Sequence, residues 1–282
     1  MLYLVGTPIG NLGDISSRAI EVLESCDLIA CEDTRRTGLL LQSLGIKNNL
    51  FSYHEHNKAA KGPVLISKMK EGLNICLVSD AGMPSISDPG EDLVKLCIEE
   101  GVDVSVVPGP VAAISALVLS GLDTRYYHFE GFLPSENKPR KERLSKLKNY
   151  NETIILYEAP HRLMKLIDEL QDAGFGSNKA AFCRELTKKY EQVIRLTIDE
   201  AKACFEETPP KGEFVVCLEP LPETAETGAV NDVGLDELIA RFEDEGLSTK
   251  EMASRIAELT GGNKKEIYNR IVKCRRDVTE TT

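Results

Sequence analysis

The stretch that most constrains this chain is Gly72–Gly90, which reads Gly-Leu-Asn-Ile-Cys-Leu-Val-Ser-Asp-Ala-Gly-Met-Pro-Ser-Ile-Ser-Asp-Pro-Gly. The short apolar run Ile75–Val78 suits a strand buried on both faces. It stops at Ser79-Asp80, and Gly82, Pro84, Pro89 and Gly90 then break any helix or strand. A helix follows from about Glu91, with Val94, Leu96, Cys97 and Ile98 as its apolar positions. A buried strand that empties into a Gly/Pro loop before a helix builds an open α/β sheet, whose ligands bind at the carboxyl ends of the strands. The loop has few side chains suited to binding, so its backbone N–H and C=O groups carry that task. Gly82 allows close approach, and the prolines hold the loop's shape before a ligand arrives.

The same unit recurs along the first half. Leu2–Val5 is a strand running into Gly6-Thr7-Pro8-Ile9-Gly10-Asn11-Leu12-Gly13, with a helix from about Ser16. Leu28–Cys31 is the next strand and ends in Glu32-Asp33-Thr34-Arg35-Arg36. That polar cluster reads either as a solvated helix start capped by Asp33 or as a rim facing substrate. Phe51–Asn57 holds His54 and His56 without a third ligand at a recognisable spacing, so it reads as a hydrogen-bonding loop that contacts substrate, and no metal is expected. Lys58–Glu71 is a helix. Val102–Val107 is a strand ending in Pro108-Gly109-Pro110, and Val111–Leu119 is a helix whose small residues let a ligand or another backbone come close. Alternating strands and helices with short loops predict a mostly parallel sheet covered on both faces.

The texture changes after Gly121. Strand-like segments at Tyr126–Leu133, Ile154–Tyr157, Ala180–Cys183, Val193–Thr197 and Gly212–Leu218 are separated mainly by turns, with a helix from about Leu163 to Asp172. This predicts a second, mixed sheet. Between the first two strands, Glu136–Lys148 carries six positive residues against two negative. Pro220–Gly234 has little apolar content and reads as a linker. Leu235–Glu245, Thr249–Leu259 and Lys264–Arg276 read as three short helices, the last carrying +5. The expected organisation is an N-terminal α/β domain over 1–110, a second α/β domain over 111–220, a linker over 221–234 and a helix-turn-helix-like unit over 235–282.

Composition bounds the function. At 282 residues the chain has no apolar run near the roughly 20 residues that a membrane span needs. Its start lacks a basic segment and a cleavage site, so a cytoplasmic protein is expected. The eight cysteines form no CxxC pair and read as buried free thiols. A net charge of −11 argues against a surface that coats nucleic acid throughout, but it leaves room for a local basic groove.

Several motifs occur in a fixed order: Gly6–Ile15, Cys31-Glu32-Asp33-Thr34-Arg35, Ser79–Gly90, Pro108-Gly109-Pro110, Tyr157-Glu158-Ala159-Pro160-His161-Arg162 and Arg184-Glu185-Leu186-Thr187-Lys188. Together they resemble the bacterial small-subunit ribosomal RNA (cytidine 2′-O-) methyltransferases, a branch of the tetrapyrrole methylase superfamily. The resemblance covers Leu2 to about Leu218 and extends to the terminal helices. It implies two α/β domains that hold S-adenosylmethionine in the cleft between them, methylation of a cytidine ribose in small-subunit (16S) ribosomal RNA, and a homodimer. Where the superfamily commonly has Gly-Asp-Pro after the central strand, this chain has Ser79-Asp80-Ala81, a departure that points away from porphyrinoid substrates.

By position, the resemblance places cofactor contacts on Pro8, Asp80, Ala81, Gly82, Met83, Ala112, Ala113, Tyr157, Leu186 and Gly212. The ribose hydroxyl must lose a proton. Glu158, His161, Glu185 and Asp33 are candidate bases, each also readable as a partner for a neighbouring arginine. Candidate RNA contacts are Arg35, Lys138, Arg140, Lys141, Arg162, Arg184, Arg270, Lys273 and Arg276, because phosphates need cations. Two other readings stand beside this one. A methylase acting on a small molecule or protein would not need the basic segments. A ribosome-binding protein that had lost its cofactor would not keep both Gly/Pro loops. A Rossmann dehydrogenase fits worse, because no G-x-G-x-x-G follows the first strand.

Overall fold

The computed structural model describes residues 1–222, 238–239, 241–243, 246–260 and 264–279. Met1–Pro220 is one compact unit and Leu221–Thr282 another.

The first sheet is parallel throughout. Its strands are β1 (Leu2–Val5), β2 (Leu28–Cys31), β3 (Leu50–Ser52), β4 (Ile75–Val78) and β5 (Val104–Val107), in the order β3-β2-β4-β1-β5. All four residues of β4 are buried, as a strand covered on both faces requires. One face packs on α1 (Ser17–Ser25) and α2 (Thr34–Leu44), through Ala19, Leu23 and Leu41. The other packs on α3 (Lys58–Lys70) and α4 (Glu91–Glu99), through Leu65, Met69, Leu93 and Cys97. The order places β1 beside β4, so the loops after these strands emerge side by side, at the point where ligands bind in such sheets.

The second sheet has β6 (Tyr127–Phe132), β7 (Thr153–Glu158), β8 (Lys179–Arg184), β9 (Gln192–Thr197) and β10 (Phe214–Leu218), in the order β6-β7-β10-β8-β9. Only β6 and β7 are parallel; the other pairs are antiparallel. α5 (Ala112–Ser120) packs on this sheet through Ala113, Ala116 and Leu117. Its small side chains allow that close helix–sheet approach. α6 (Asn137–Leu147), α7 (Pro160–Asp172) and α8 (Ile198–Glu207) complete the unit. Residues 198–207, read from sequence as part of a turn between strands, form α8. It opens on a reciprocal cap in which the Thr197 hydroxyl accepts from the Glu200 N–H and the Glu200 carboxylate accepts from the Thr197 N–H. β3 was also hidden, because Leu50–Ser52 is short and runs straight into the histidine loop.

In the second unit, α9 (Thr249–Thr260) and α10 (Lys264–Thr279) pack around Met252, Ala253, Ile256, Ile267 and Ile271, with Ile239 and Phe242 against them. Most of the expected 221–234 linker lies outside the described residues, as do parts of the helix expected over 235–245.

Candidate active site

The loop after β1 and the loop after β4 are tied together. The Thr7 N–H donates to the Gly82 carbonyl at 2.9 Å, and the Gly82 N–H donates back to the Thr7 carbonyl at 3.1 Å. Gly82 sits at φ +87°, in the left-handed region that glycine tolerates. The loop after β5 closes from the other side. A Cβ on Gly6 would lie 2.6 Å from the Gly109 Cα, so only glycine permits the two chains to pass there.

These loops form one wall of a cleft of about 440 Å³, in the range of roughly 300–1,000 Å³ usual for small-molecule sites. That wall carries Ile9, Glu32, Arg36, Asp80, Ala81, Gly82, Met83 and Asp88, and the second sheet faces it with Val111, Ala112, Phe132, Tyr157, Leu186 and Phe214. The Tyr157 hydroxyl accepts from the Ala113 N–H at 3.1 Å, and the Phe129 and Phe132 rings meet the Tyr157 ring edge-on. The Tyr157 phenol is therefore fixed between a helix start and two rings.

The electrostatics are acidic at the carboxyl ends of β2 and β4. Asp80 accepts from the Asp33 N–H at 3.2 Å and pairs with Arg36 at 3.2 Å. The Asp88 carboxyl is pushed up to about 6, first by burial and then by the neighbouring Glu32 charge, with Asp80 adding to it and the Ser79 hydroxyl opposing it. Glu32 is also raised, by burial and by Asp80. Such a cleft favours a ligand with an apolar ring and a positive charge.

The structure brings together seven of the residues expected to bind cofactor: Asp80, Ala81, Gly82, Met83, Ala112, Tyr157 and Leu186. The other three do not line the cleft. Pro8 lies half-buried beside it, Ala113 is buried and engages Tyr157 through its N–H, and Gly212 packs on the Glu185 side chain. Asp88, Glu32 and Phe132 line the cleft but were not assigned a role from sequence. Asp88 lay within the loop already singled out, and Glu32 lay in the cluster that could read as a substrate-facing rim.

Among the candidate bases, Glu158 needs correction. It lines the cleft, yet its carboxylate is buried between Arg140 at 3.2 Å and Arg162 at 3.3 Å, and it also accepts from the Ala159 N–H. Asp33 is the cap of α2, and the Arg35 side chain holds its carboxyl down at about 2, too acidic to take a proton from a hydroxyl. Glu185 accepts from the Glu213 N–H and from Lys188, which lowers it. It lies off the cleft lining, as does the exposed His161 near the start of α7.

Among the expected RNA contacts, Arg140 is also corrected. Its side chain is 1% exposed and pairs with both Glu158 and Glu169, so it cannot reach a phosphate. Arg162 is turned inward to Glu158 and the Leu133 carbonyl, and Arg184 donates to the Lys211 carbonyl at 2.5 Å. Lys138 and Lys141 are exposed on α6, and Arg35 is exposed while paired with Asp33. Arg270 is half-buried on α10; the side chains of Lys273 and Arg276 lie outside the described residues.

Two sheets of this order around such a cleft define a class. A solved structure of uroporphyrin-III-C-methyltransferase from Thermus thermophilus covers 77% of this chain and 93% of its own, with TM-score 0.56 and 20% identity. The methyltransferase CobJ covers 78% and 94%, with TM-score 0.59 and 14% identity. At these identities the likeness is one of fold. The family model of the Tetrapyrrole (Corrin/Porphyrin) Methylases matches residues 1–202, and the chain belongs to that family. Among curated relatives, "Ribosomal RNA small subunit methyltransferase I" of Synechocystis sp. is 44% identical over 269 residues, covering 95% of this chain and 96% of the relative. The protein of the same name from Escherichia coli O157:H7 is 42% identical over 271 residues, covering 95% and 93%.

Proposed function

We propose that this protein is an S-adenosylmethionine-dependent methyltransferase that methylates the ribose 2′-hydroxyl of a cytidine in small-subunit (16S) ribosomal RNA. The observation that carries the reading is similarity at above 40% identity over 95% of the chain, terminal unit included, to relatives named for small-subunit ribosomal RNA. A small-molecule methylase needs no such unit. A further support is Ser79-Asp80-Ala81 in place of the superfamily's tripeptide.

The cleft suits the cofactor. Its apolar lining takes a nucleoside, and the acidic groups at Asp80 and Asp88 complement a sulfonium. When bound, the cofactor supplies an activated methyl group. Gly82 and its neighbours hold it through backbone groups, with Ala112, Tyr157 and Leu186 covering it from the second sheet. The protein's work is to orient the acceptor hydroxyl, exclude water and accept its proton.

Lys138 and Lys141 on α6, with the basic α10, contact RNA phosphates. The protein works in the cytoplasm as a homodimer, for which the exposed Ile114, Val118 and Leu119 of α5 supply apolar surface. The test is transfer of labelled methyl from S-adenosylmethionine to purified small subunits, with the modified nucleotide mapped. Label that appears on no nucleotide of the subunit would overturn the reading.

A further inference from the structure

Methyl transfer to a hydroxyl needs a group that takes the hydroxyl's proton, and that group must face the cleft with its lone pairs unengaged. Five carboxylates line the cleft: Glu32, Asp80, Asp88, Glu158 and Glu213. Three are committed. Glu158 lies between two arginines, and Asp80 holds Arg36 and the Asp33 N–H. Glu213 pairs with Lys188 at 3.0 Å. Asp88 and Glu32 remain: the Ser79 hydroxyl near Asp88 donates to the Ala81 and Gly82 carbonyls, and Glu32 has no hydrogen-bond or ion-pair partner among the described residues. Of the two, Asp88 is half-buried and Glu32 is exposed at the end of β2, so only Glu32 can both face the cleft and pass a proton freely to solvent.

From this geometry we propose that the Glu32 carboxylate is the general base that takes the proton of the acceptor hydroxyl. The inference rests on the methyltransferase reading above. In the step, the hydroxyl O–H bond breaks and its proton passes to a Glu32 carboxylate oxygen. The electron pair left on the hydroxyl oxygen forms the new O–C bond to the methyl, and the S–C pair departs with the sulfur as a thioether. Glu32 then returns the proton to solvent, to which it is open at the end of β2.

The surroundings favour this role. Asp80 at the end of β4, Asp88 in the following loop and Asp33 beside Glu32 are negative. Arg36 on α2 and His54 in the loop after β3 oppose them. Partial desolvation against the cleft and the acidic neighbours outweigh them, and the carboxyl is raised from the ordinary glutamate value. A raised carboxylate is the stronger proton acceptor.

The test compares wild type with Glu32→Gln and Glu32→Asp on purified small subunits. Three readouts should agree. First, Glu32→Gln should lower kcat by about 100-fold, the low end of general-base contributions, with the affinity for S-adenosylhomocysteine by calorimetry within about two-fold of wild type. Glu32→Asp should recover part of the rate. Second, the acidic limb of the wild-type rate against pH should be absent in Glu32→Gln. Third, the carbon-13 signal of the Glu32 carboxyl, followed in the full chain without ligand, should titrate above an ordinary glutamate.

Glu32→Gln that keeps its rate and acidic limb while wild type methylates the subunit would overturn the role of Glu32 alone. So would a Glu32 carboxyl that titrates at or below the ordinary value. Wild type that transfers no methyl to the subunit would overturn the function and the inference together.

Discussion

Replacing Arg140 with methionine separates two roles that sequence could not. As a phosphate contact, Arg140 would matter for substrate and not for folding. The structure instead buries its guanidinium between Glu158, whose side chain is 1% exposed, and Glu169, which is 21% exposed. Removing one partner of a buried ion pair costs about 3–5 kcal/mol, because the other charge is left without compensation. Glu158 keeps Arg162, and Glu169 keeps Lys165 at 3.8 Å, so the low end, about 3 kcal/mol, is expected here. For a unit the size of Met1–Pro220 each kcal/mol moves Tm by about 2–4 °C, giving a fall of roughly 6–12 °C by calorimetry. Adding Glu158→Gln to Arg140→Met should restore part of that loss, because the stranded charge is gone. An Arg140→Met protein with wild-type Tm and weakened subunit binding would refute the buried-pair argument and return Arg140 to the RNA surface.

Three further outcomes are expected. Asp80→Ala should weaken S-adenosylhomocysteine binding at least ten-fold by calorimetry while the circular dichroism spectrum is kept, because Asp80 lies in the cleft and ties Arg36 and the Asp33 N–H to it. Asp88→Asn should stabilise the ligand-free protein at neutral pH by about 1 kcal/mol, after discounting for partial exposure, and have little effect near pH 4. The sign follows from a folded carboxyl raised to about 6: its stability contribution is full below the unfolded value near 4 and is lost as pH rises through 6, so the cost that asparagine removes grows across that window and is full above it. Equal shifts in Tm at both pH values would contradict it. Lys138→Glu with Lys141→Glu should leave Tm within about 1 °C, weaken subunit binding and flatten its salt dependence, measured by filter binding from low to high salt.

The sequence by itself determined four of the five strands of the parallel sheet and the loops after β1, β4 and β5, because each is a local pattern, whereas the cap at Asp33 was one of two readings that sequence left open. A four-residue apolar run followed by Gly and Pro has few other conformations open to it. The mixed second sheet was legible too, since β7, β8 and β10 are strongly apolar and β6 is rich in aromatics. Helix α8 was missed because its apolar positions Ile198, Ala201 and Phe205 are few and sit against a strand that leads directly into it.

What only the tertiary structure decided is which charged groups meet. Arg140 and Glu158 are 18 residues apart, and their side chains pair out of water; no spacing rule marks one basic residue of α6 as buried while its neighbours Lys138 and Lys141 face solvent. The base is a second instance. Glu158, Glu185, Asp33 and Glu32 carry the same functional group in sequence. Their difference lies in what the fold places against each: two arginines on Glu158, a lysine and an N–H on Glu185, Arg35 on Asp33, and the open cleft beside Glu32. Chain order sets the strands and loops, whereas the availability of a proton acceptor depends on long-range partners and burial, which exist only once the sheets have packed.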